Sequence, residues 1–364
     1  MCGIIGCRKI PKIFQNLVDG LYNEQHRGGE EGTGLLFSDG TKFISPAPHK
    51  TISLIQECAT QWPGKHPEDA LLGIGFTRYG TSGNYSDFQN IQPFLRETQH
   101  GPIAVVHNGD TPDYGNIRED FQTKGAVFSS TSDSELITHY IARQPLNSIE
   151  EAVKQTIRSY PSAFALIIAT PNKLIGCRDP LGYRPLCLGE CEGGYILASE
   201  SCALDVISNA SYVRDIEPGE MVVISDKGVE STQVTQRDNY QQCIFENIYL
   251  ARPDSRIFNR WVHEDRVKLG KQVAREVGWP EVKGRKLKKD EFVVFGVPDS
   301  ATIIAEGYAE ELGVTTKIVL VRHHYVGRTF MGHNQAGRDN GVRLKFNPLR
   351  KRISGKWCVN PHNK

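Results

Sequence analysis

Short apolar runs separated by turn residues set the rhythm of the chain up to about residue 235. Residues 3–7, 33–38, 71–77, 102–107, 163–169, 174–178, 195–199 and 220–225 are each of strand length and rich in Ile, Val, Leu or Phe, with Gly, Pro, Asn or Asp in the intervals. That punctuation predicts strands. Three other segments switch to helical spacing: 13–25, which places Ile13, Leu17 and Leu21 on one face, 133–143, which follows the N-cap residue Ser132, and 148–160, which opens with the capping-box-like Ser148-Ile149-Glu150-Glu151. Many strands with few helices give two packed sheets flanked by helical layers.

Beyond Cys243 the rhythm changes. A long helix is predicted over 256–277, followed by a strand over 292–297, a helix over 301–312 and a strand over 316–321, the strand-helix-strand unit of a parallel sheet. No internal repeat or Pro/Gly/Ser linker separates the two rhythms, and we set the domain limits at 1–235 and 236–364. Two domains suit 364 residues, more than one hydrophobic core usually organises.

Charge and cysteine usage narrow the function classes. The 43 Lys and Arg and 42 Asp and Glu are mixed along the whole length, leaving neither a basic footprint for nucleic acid nor an acidic tail. The longest apolar stretches are too short to span a bilayer, and the N-terminus lacks a signal-peptide core, which predicts a cytoplasmic protein without a membrane partner. Nine cysteines stand singly, without CxxC spacing. They are expected to be mostly reduced core residues rather than a disulfide framework or a metal site.

Cys2 is the exception. Once the initiator methionine is removed it stands at a free N-terminus, where its own α-amine, ionising near neutrality, can take the thiol proton directly or through a water. Gly3 beside it lets a substrate carbonyl approach the backbone. Attack on an amide needs donors for the developing oxyanion, and His107-Asn108-Gly109 offers a side-chain amide beside a glycine N–H. A free amino acid needs a cation for its carboxylate and an acid for its ammonium; Arg78 follows a predicted strand and Asp133 opens a predicted helix.

At these residues the chain resembles the class II glutamine amidotransferases of the N-terminal-nucleophile hydrolase superfamily, and among them the amidophosphoribosyltransferase family. The resemblance covers nearly the whole chain and is carried further by Asn90-Ile91-Gln92-Pro93-Phe94, Arg178-Asp179-Pro180-Leu181-Gly182-Tyr183-Arg184-Pro185-Leu186, Ala198-Ser199-Glu200-Ser201, Ala251-Arg252-Pro253-Asp254-Ser255 and Tyr325-Val326-Gly327-Arg328-Thr329-Phe330. It implies an α+β fold: a hydrolase sandwich of helix layer, two packed antiparallel sheets and helix layer, then part of an α/β type I phosphoribosyltransferase domain. It also implies that Cys2 attacks the glutamine side-chain amide, that Asn108 and Gly109 form the oxyanion hole, and that Arg78, Thr81 and Asp133 hold the amino-acid end. His26, Arg27 and Gly28 match a motif at the same site. Asp299 and Ser300 would face pyrophosphate at a helix start, and Arg328, Thr329 and Lys345 would belong, with Arg338 and Arg343, to an arm that closes over it. The family reaction, a step of purine synthesis, moves ammonia from glutamine through an internal channel to phosphoribosyl pyrophosphate and its magnesium ion. The products are phosphoribosylamine, glutamate and pyrophosphate. A homo-oligomer, or association with a full-length homologue, is expected as well.

The chain also departs from the family pattern. Gly29 stands where the family has glutamine, Asp110 where it has asparagine and His324 where it has arginine. After Lys356 the family continues into two adjacent acidic residues and a hydroxyl-rich loop that grips the ribose and 5′-phosphate, whereas this sequence reads Trp357-Cys358-Val359-Asn360-Pro361. The transfer half is therefore expected to be truncated, with phosphoribosyl transfer by this chain alone in doubt. Some members hold an iron–sulfur cluster; only the Cys243 position is present here, so neither a cluster nor a resident metal is expected. Two further readings stand beside the family reaction: a stand-alone glutaminase or ammonia donor, and a non-catalytic paralogue or fragment that regulates the full-length enzyme.

Overall fold

The apolar run Ala163–Ala169 is a strand with no solvent face. Ala165, Ile167 and Ala169 enter one core while Phe164, Leu166 and Ile168 enter another. The computed structural model in which this is seen describes residues 2–28, 31–44, 48–79, 87–144, 147–326 and 335–361. The chain divides into two units, Met1–Glu246 with Ser255–Asn259, and Asn247–Asp254 with Arg260–Lys364.

In the first unit, six antiparallel strands run in the order Gly228–Gln233, Glu220–Ser225, Leu174–Arg178, Ala163–Ala169, Gly101–Asp110 and Phe94–Thr98. A second antiparallel sheet has seven, in the order Ala210–Asp215, Cys187–Cys191, Gly194–Ala198, Gly3–Arg8, Leu72–Thr77, Thr33–Ser38 and His49–Thr51. Ile4, Ile74, Phe76, Val106, Ile167 and Leu197 fill the space between them. The helix Ile13–Asn23 lays Ile13, Leu17 and Leu21 on Ile5 and Cys7, on the outer face of the larger sheet. Asp133–Ala142 and Ile149–Ser159 cover the outer face of the smaller one through Leu136, Ile137, Val153 and Ile157. The layers are thus helix, sheet, sheet, helix, as the resemblance implies. Ser132 and Ser148 cap their helices as predicted, accepting from the N–H of Ser134 at 3.2 Å and of Glu151 at 3.3 Å.

Several strands were not foreseen. Ala210–Asp215 alternates exposed and covered positions at the sheet edge, and Cys187–Cys191 carries Gly189 at its centre and an exposed Glu190; neither has the apolar density of Ala163–Ala169. All nine cysteines are free, and Cys7, Cys58, Cys177, Cys187, Cys191 and Cys202 are buried. Burial pushes the Cys58 thiol up to about 12, and those of Cys7 and Cys177 higher still.

In the second unit Phe292, Val294, Ala274, Ala305 and Tyr308 form a small core. The helix expected over 256–277 begins only at Val262, because Phe258 and Asn259 take φ angles of 53° and 60°, a left-handed backbone through which no α-helix continues. The strand expected over 292–297 stops at Val294. Beyond it Gly296 lies against the next helix, where a Cβ would stand 2.2 Å from Ala301 O, and Pro298 has no N–H for a ladder. Parallel pairing is present: Phe292–Val294 runs beside Trp357–Val359, and Val294 bridges Thr316. The strand expected over 316–321 is shorter and shifted, Leu320–Arg322; just before it Ile318 is 69% exposed while Val319 is buried. Among the described residues no helix is long and apolar enough to cross a membrane.

Ile167→Ala should lower the unfolding free energy of the first unit by about 2–5 kcal/mol, the cost of a cavity between two sheets. Val213→Ala, on the half-exposed edge strand, should change it by less than about 0.5 kcal/mol. Urea unfolding followed by tryptophan fluorescence checks both.

Candidate active site

The chemistry collects where strands end. Gly3 pairs with Thr77, so Cys2 lies beside Arg78 and Tyr79, and the Tyr79 N–H donates to Cys2 Sγ at 3.5 Å. From the facing sheet, Asn108 Oδ1 accepts from the Cys2 nitrogen at 3.0 Å. Asn108 is fully buried, and among the described residues its Nδ2 has no partner. A buried, unsatisfied amide donor is costly and marks a place where a ligand oxygen can sit. Cys2, Arg78, Tyr79, His107, Gly109 and Asp133 line one cavity of about 30 Å³. A Cβ on Gly109 would stand 2.1 Å from both Ala163 O and His107 Nε2, so only glycine fits there.

The cavity walls are set by polar side chains from separate elements. Gln92 accepts from the His107 N–H at 2.5 Å and donates to Ser134 Oγ at 3.0 Å, and Ser134 Oγ meets His107 Nδ1 at 2.9 Å. Burial lowers the His107 pKa below its ordinary 6.5, although Asp133 opposes the shift. Asp133 Oδ2 accepts from the Thr111 N–H at 3.0 Å. Asn90 fixes the approach to that helix, accepting from the Thr131 N–H at 2.8 Å and donating to its hydroxyl at 2.8 Å.

Behind Cys2 lies a buried ion cluster. Arg27, with no exposed surface, donates through Nε to the Cys2 carbonyl at 3.1 Å, through Nη2 to both Glu246 oxygens at 2.8 and 3.0 Å, and through Nη1 to Glu200. Glu200 also accepts from Ser255 Oγ at 2.6 Å, meets His26 Nε2 at 2.9 Å, and through its N–H donates to Glu24 at 2.8 Å. Burial drives the two carboxyls up, but at Glu200 the charges of His26 and Arg27 outweigh it and hold the group well below the carboxylate range. At Glu24 burial wins, and its pKa lies far above the usual value. Gly28 lets this segment press against the strand end, since a Cβ there would stand 1.9 Å from Thr77 Oγ1.

Of the residues expected to hold glutamine, Arg78 and Asp133 share the cavity with Cys2 and Gly109. Arg27 instead holds the Cys2 carbonyl, with His26 on Glu200 and Gly28 against Thr77. Thr81, Arg328, Thr329 and Gly29 lie outside the described residues. Gln92 and Glu200 fall inside motifs singled out in the sequence, but no role was assigned to them there. Glu246 gave no signal at all, being 219 residues from its partner.

The Arg178 to Leu186 motif is a braced turn. The Arg178 guanidinium donates to the carbonyls of Arg184, Ile216 and Gly182 at 2.5–2.7 Å, while Asp179 accepts from the N–H groups of Leu181, Gly182 and Tyr183 at 2.8–3.0 Å. It presents Arg184 Nη1 3.6 Å from Glu246. In the second unit Asp299 pairs with Arg322 and Ser300 opens the helix Ser300–Glu311. Lys345 closes the helix Gln335–Lys345, its carbonyl accepting from the His323 N–H at 2.8 Å. Among the described residues no three Cys, His, Asp or Glu side chains converge as metal ligands, and no step is assigned to Cys243.

A family model for a glutamine amidotransferase domain matches residues 85–206. The chain is 36% identical over 360 residues to an amidophosphoribosyltransferase of Bacillus subtilis (strain 168), covering 98% of this chain and 72% of that protein. It is 37% identical over 359 residues to an amidophosphoribosyltransferase of Staphylococcus aureus (strain Mu50), covering 98% and 69%. A solved structure described as the allosteric regulatory enzyme of purine biosynthesis superposes with a TM-score of 0.85 at 36% identity, over 98% of this chain and 74% of the other.

Among the described residues, Arg27→Ala leaves buried Glu200 with His26 and Glu246 with only the more distant Arg184, and should cost about 3–5 kcal/mol of stability. The fall in urea midpoint checks this.

Proposed function

The chain belongs to the amidophosphoribosyltransferase family of purine biosynthesis, enzymes that carry a glutamine amidotransferase domain, and from that premise we propose that Cys2 hydrolyses glutamine and that the ammonia released is bound for phosphoribosyl pyrophosphate. In this reading residues 1–235 are the glutaminase domain and 236–364 belong to a phosphoribosyltransferase domain. The Asn108 amide carries it: its oxygen holds the Cys2 nitrogen at 3.0 Å, while its nitrogen is buried and unpartnered among the described residues.

With Met1 removed, the α-amine of Cys2 takes the thiol proton and Sγ attacks the glutamine side-chain carbonyl carbon. Asn108 Nδ2 and the Gly109 N–H hold the oxyanion. The α-ammonium gives its proton to the departing nitrogen, ammonia leaves, and a γ-glutamyl thioester remains. Water, activated by the same amine, then releases glutamate and restores the thiol. Arg78 takes the substrate carboxylate in a bidentate fork and Asp133 takes its ammonium. Magnesium phosphoribosyl pyrophosphate is the second substrate; Asp299 and Ser300 at a helix start, with Arg328, Thr329 and Lys345 of the arm, are the candidates to hold its pyrophosphate. A cytoplasmic location, and a homo-oligomer or association with a full-length homologue, follow from the same family reading.

Diazo-oxo-norleucine, a glutamine-like electrophile, should add mass to the N-terminal peptide alone, and Cys2→Ala should abolish both the adduct and glutamine turnover. Full turnover in Cys2→Ala would overturn the assignment. Arg78→Lys should raise KM for glutamine about 10- to 100-fold, the loss of one charge-assisted bidentate contact. Because that contact persists in ground and transition states, kcat should change little. Steady-state glutaminase assays read both constants.

A further inference from the structure

A nucleophile in the middle of a chain is oriented by covalent backbone on both sides. A nucleophile at the N-terminus has backbone on one side only, so something else must fix its rotation. In this protein both polar groups of the Cys2 backbone are held by side chains: the nitrogen by Asn108 Oδ1 at 3.0 Å and the carbonyl by Arg27 Nε at 3.1 Å.

The second hold is only as firm as the guanidinium that makes it. Arg27 has no exposed surface, and its plane is set by acceptors on the other edge of the fork. Glu246 takes Nη2 with both oxygens and Glu200 takes Nη1. Glu200 is steadied in turn by Ser255 Oγ at 2.6 Å. These residues are not scattered at random: the first unit gives up the chain after Glu246 and takes it back at Ser255. The two ends of the intervening segment are therefore both tied to the cluster that holds Cys2. Neither Glu246 nor Ser255 lines the cavity shared by Cys2, Arg78 and Asp133.

We propose that Glu246 and Ser255 are positioning residues for the Cys2 nucleophile, acting through Glu200 and the Arg27 fork to set the angle at which thiol and α-amine face the substrate amide. The proposal rests on the reading of Cys2 as the nucleophile of glutamine hydrolysis. It predicts a loss in the chemical step without a loss in glutamine affinity, since the cluster touches the Cys2 backbone and not the amino-acid clamp.

Glu246→Gln keeps the side-chain volume but turns one acceptor into an N–H2 group facing Arg27 Nη2. Ser255→Ala removes one hydrogen bond to Glu200 and serves as the milder variant should the first be poorly folded. In the full chain, Glu246→Gln should lower kcat for glutamine hydrolysis about 10- to 100-fold, the scale of a small misplacement of reacting groups. Ser255→Ala should lower it in the same direction by less. KM for glutamine should stay within about twofold in both, as expected for a group that acts only on the reacting centre. The rate of Cys2 labelling by diazo-oxo-norleucine should fall in parallel with kcat. Wild-type kcat and labelling in the folded variants would overturn the proposal, as would a raised KM at unchanged kcat, which would place the cluster in substrate binding. If Cys2→Ala kept full turnover, the glutaminase reading itself would fail; if the wild type depended on Cys2 while both variants kept its kcat, only the positioning role would.

Discussion

A strand buried on both faces has nowhere along its length to put a charged group. The two sheets of the first unit press a shared core between them and carry helices outside, so every inner strand is apolar on both sides, as in Ala163–Ala169. Reactive side chains are thereby driven to strand ends. The antiparallel registers bring several such ends together: Cys2 before Gly3–Arg8, Arg78 after Leu72–Thr77, Asn108 and Gly109 near the end of Gly101–Asp110, and Glu200 after Gly194–Ala198. The site is a consequence of how the core is built.

Collecting charge at the rim of an apolar sandwich creates an electrostatic problem, and the protein resolves it with unequal carboxyls. Three of them, Glu24, Glu200 and Glu246, are fully buried around Arg27, with Arg184 at 3.6 Å from Glu246. Two guanidiniums do not compensate three anions in a dry site. Glu24, further from direct contact with Arg27, is pushed toward its neutral form by burial, while Glu200, touching both Arg27 and His26, stays ionised. Environments that drive like groups apart in pKa are what allow them to coexist.

Much of the sandwich was legible because local signals agreed with the tertiary outcome. Ser132 and Ser148 announced their helices, and the apolar runs announced the inner strands. The edge strand Ala210–Asp215 was not legible, because half its residues face solvent and its stability comes from pairing with Cys187–Cys191. The helix start at Val262 was hidden because nothing in Phe258-Asn259 obliges the left-handed backbone that both residues adopt. At the site, Cys2, Asn108 and Gly109 could be argued from chemistry, and Arg78 and Asp133 from the needs of an amino acid. The place of Arg27 could not. Its partners lie 25, 173 and 219 residues away, and local sequence carries no trace of such distances.

The turn from Arg178 to Arg184 is filled by its own side chains: one guanidinium takes the carbonyls of Gly182, Arg184 and, outside the turn, Ile216, and one carboxylate takes three amides of the turn and that of Phe164. Surface loops usually absorb added residues at little cost, since closing a slightly longer loop changes its entropy only modestly. Here an inserted residue would displace the Gly182 and Arg184 carbonyls from the guanidinium that holds them. Length variation among descendants of this chain, and any epitope grafted into it, is thereby channelled to tips such as Lys283 and Gly284, where the glycine has open space around it.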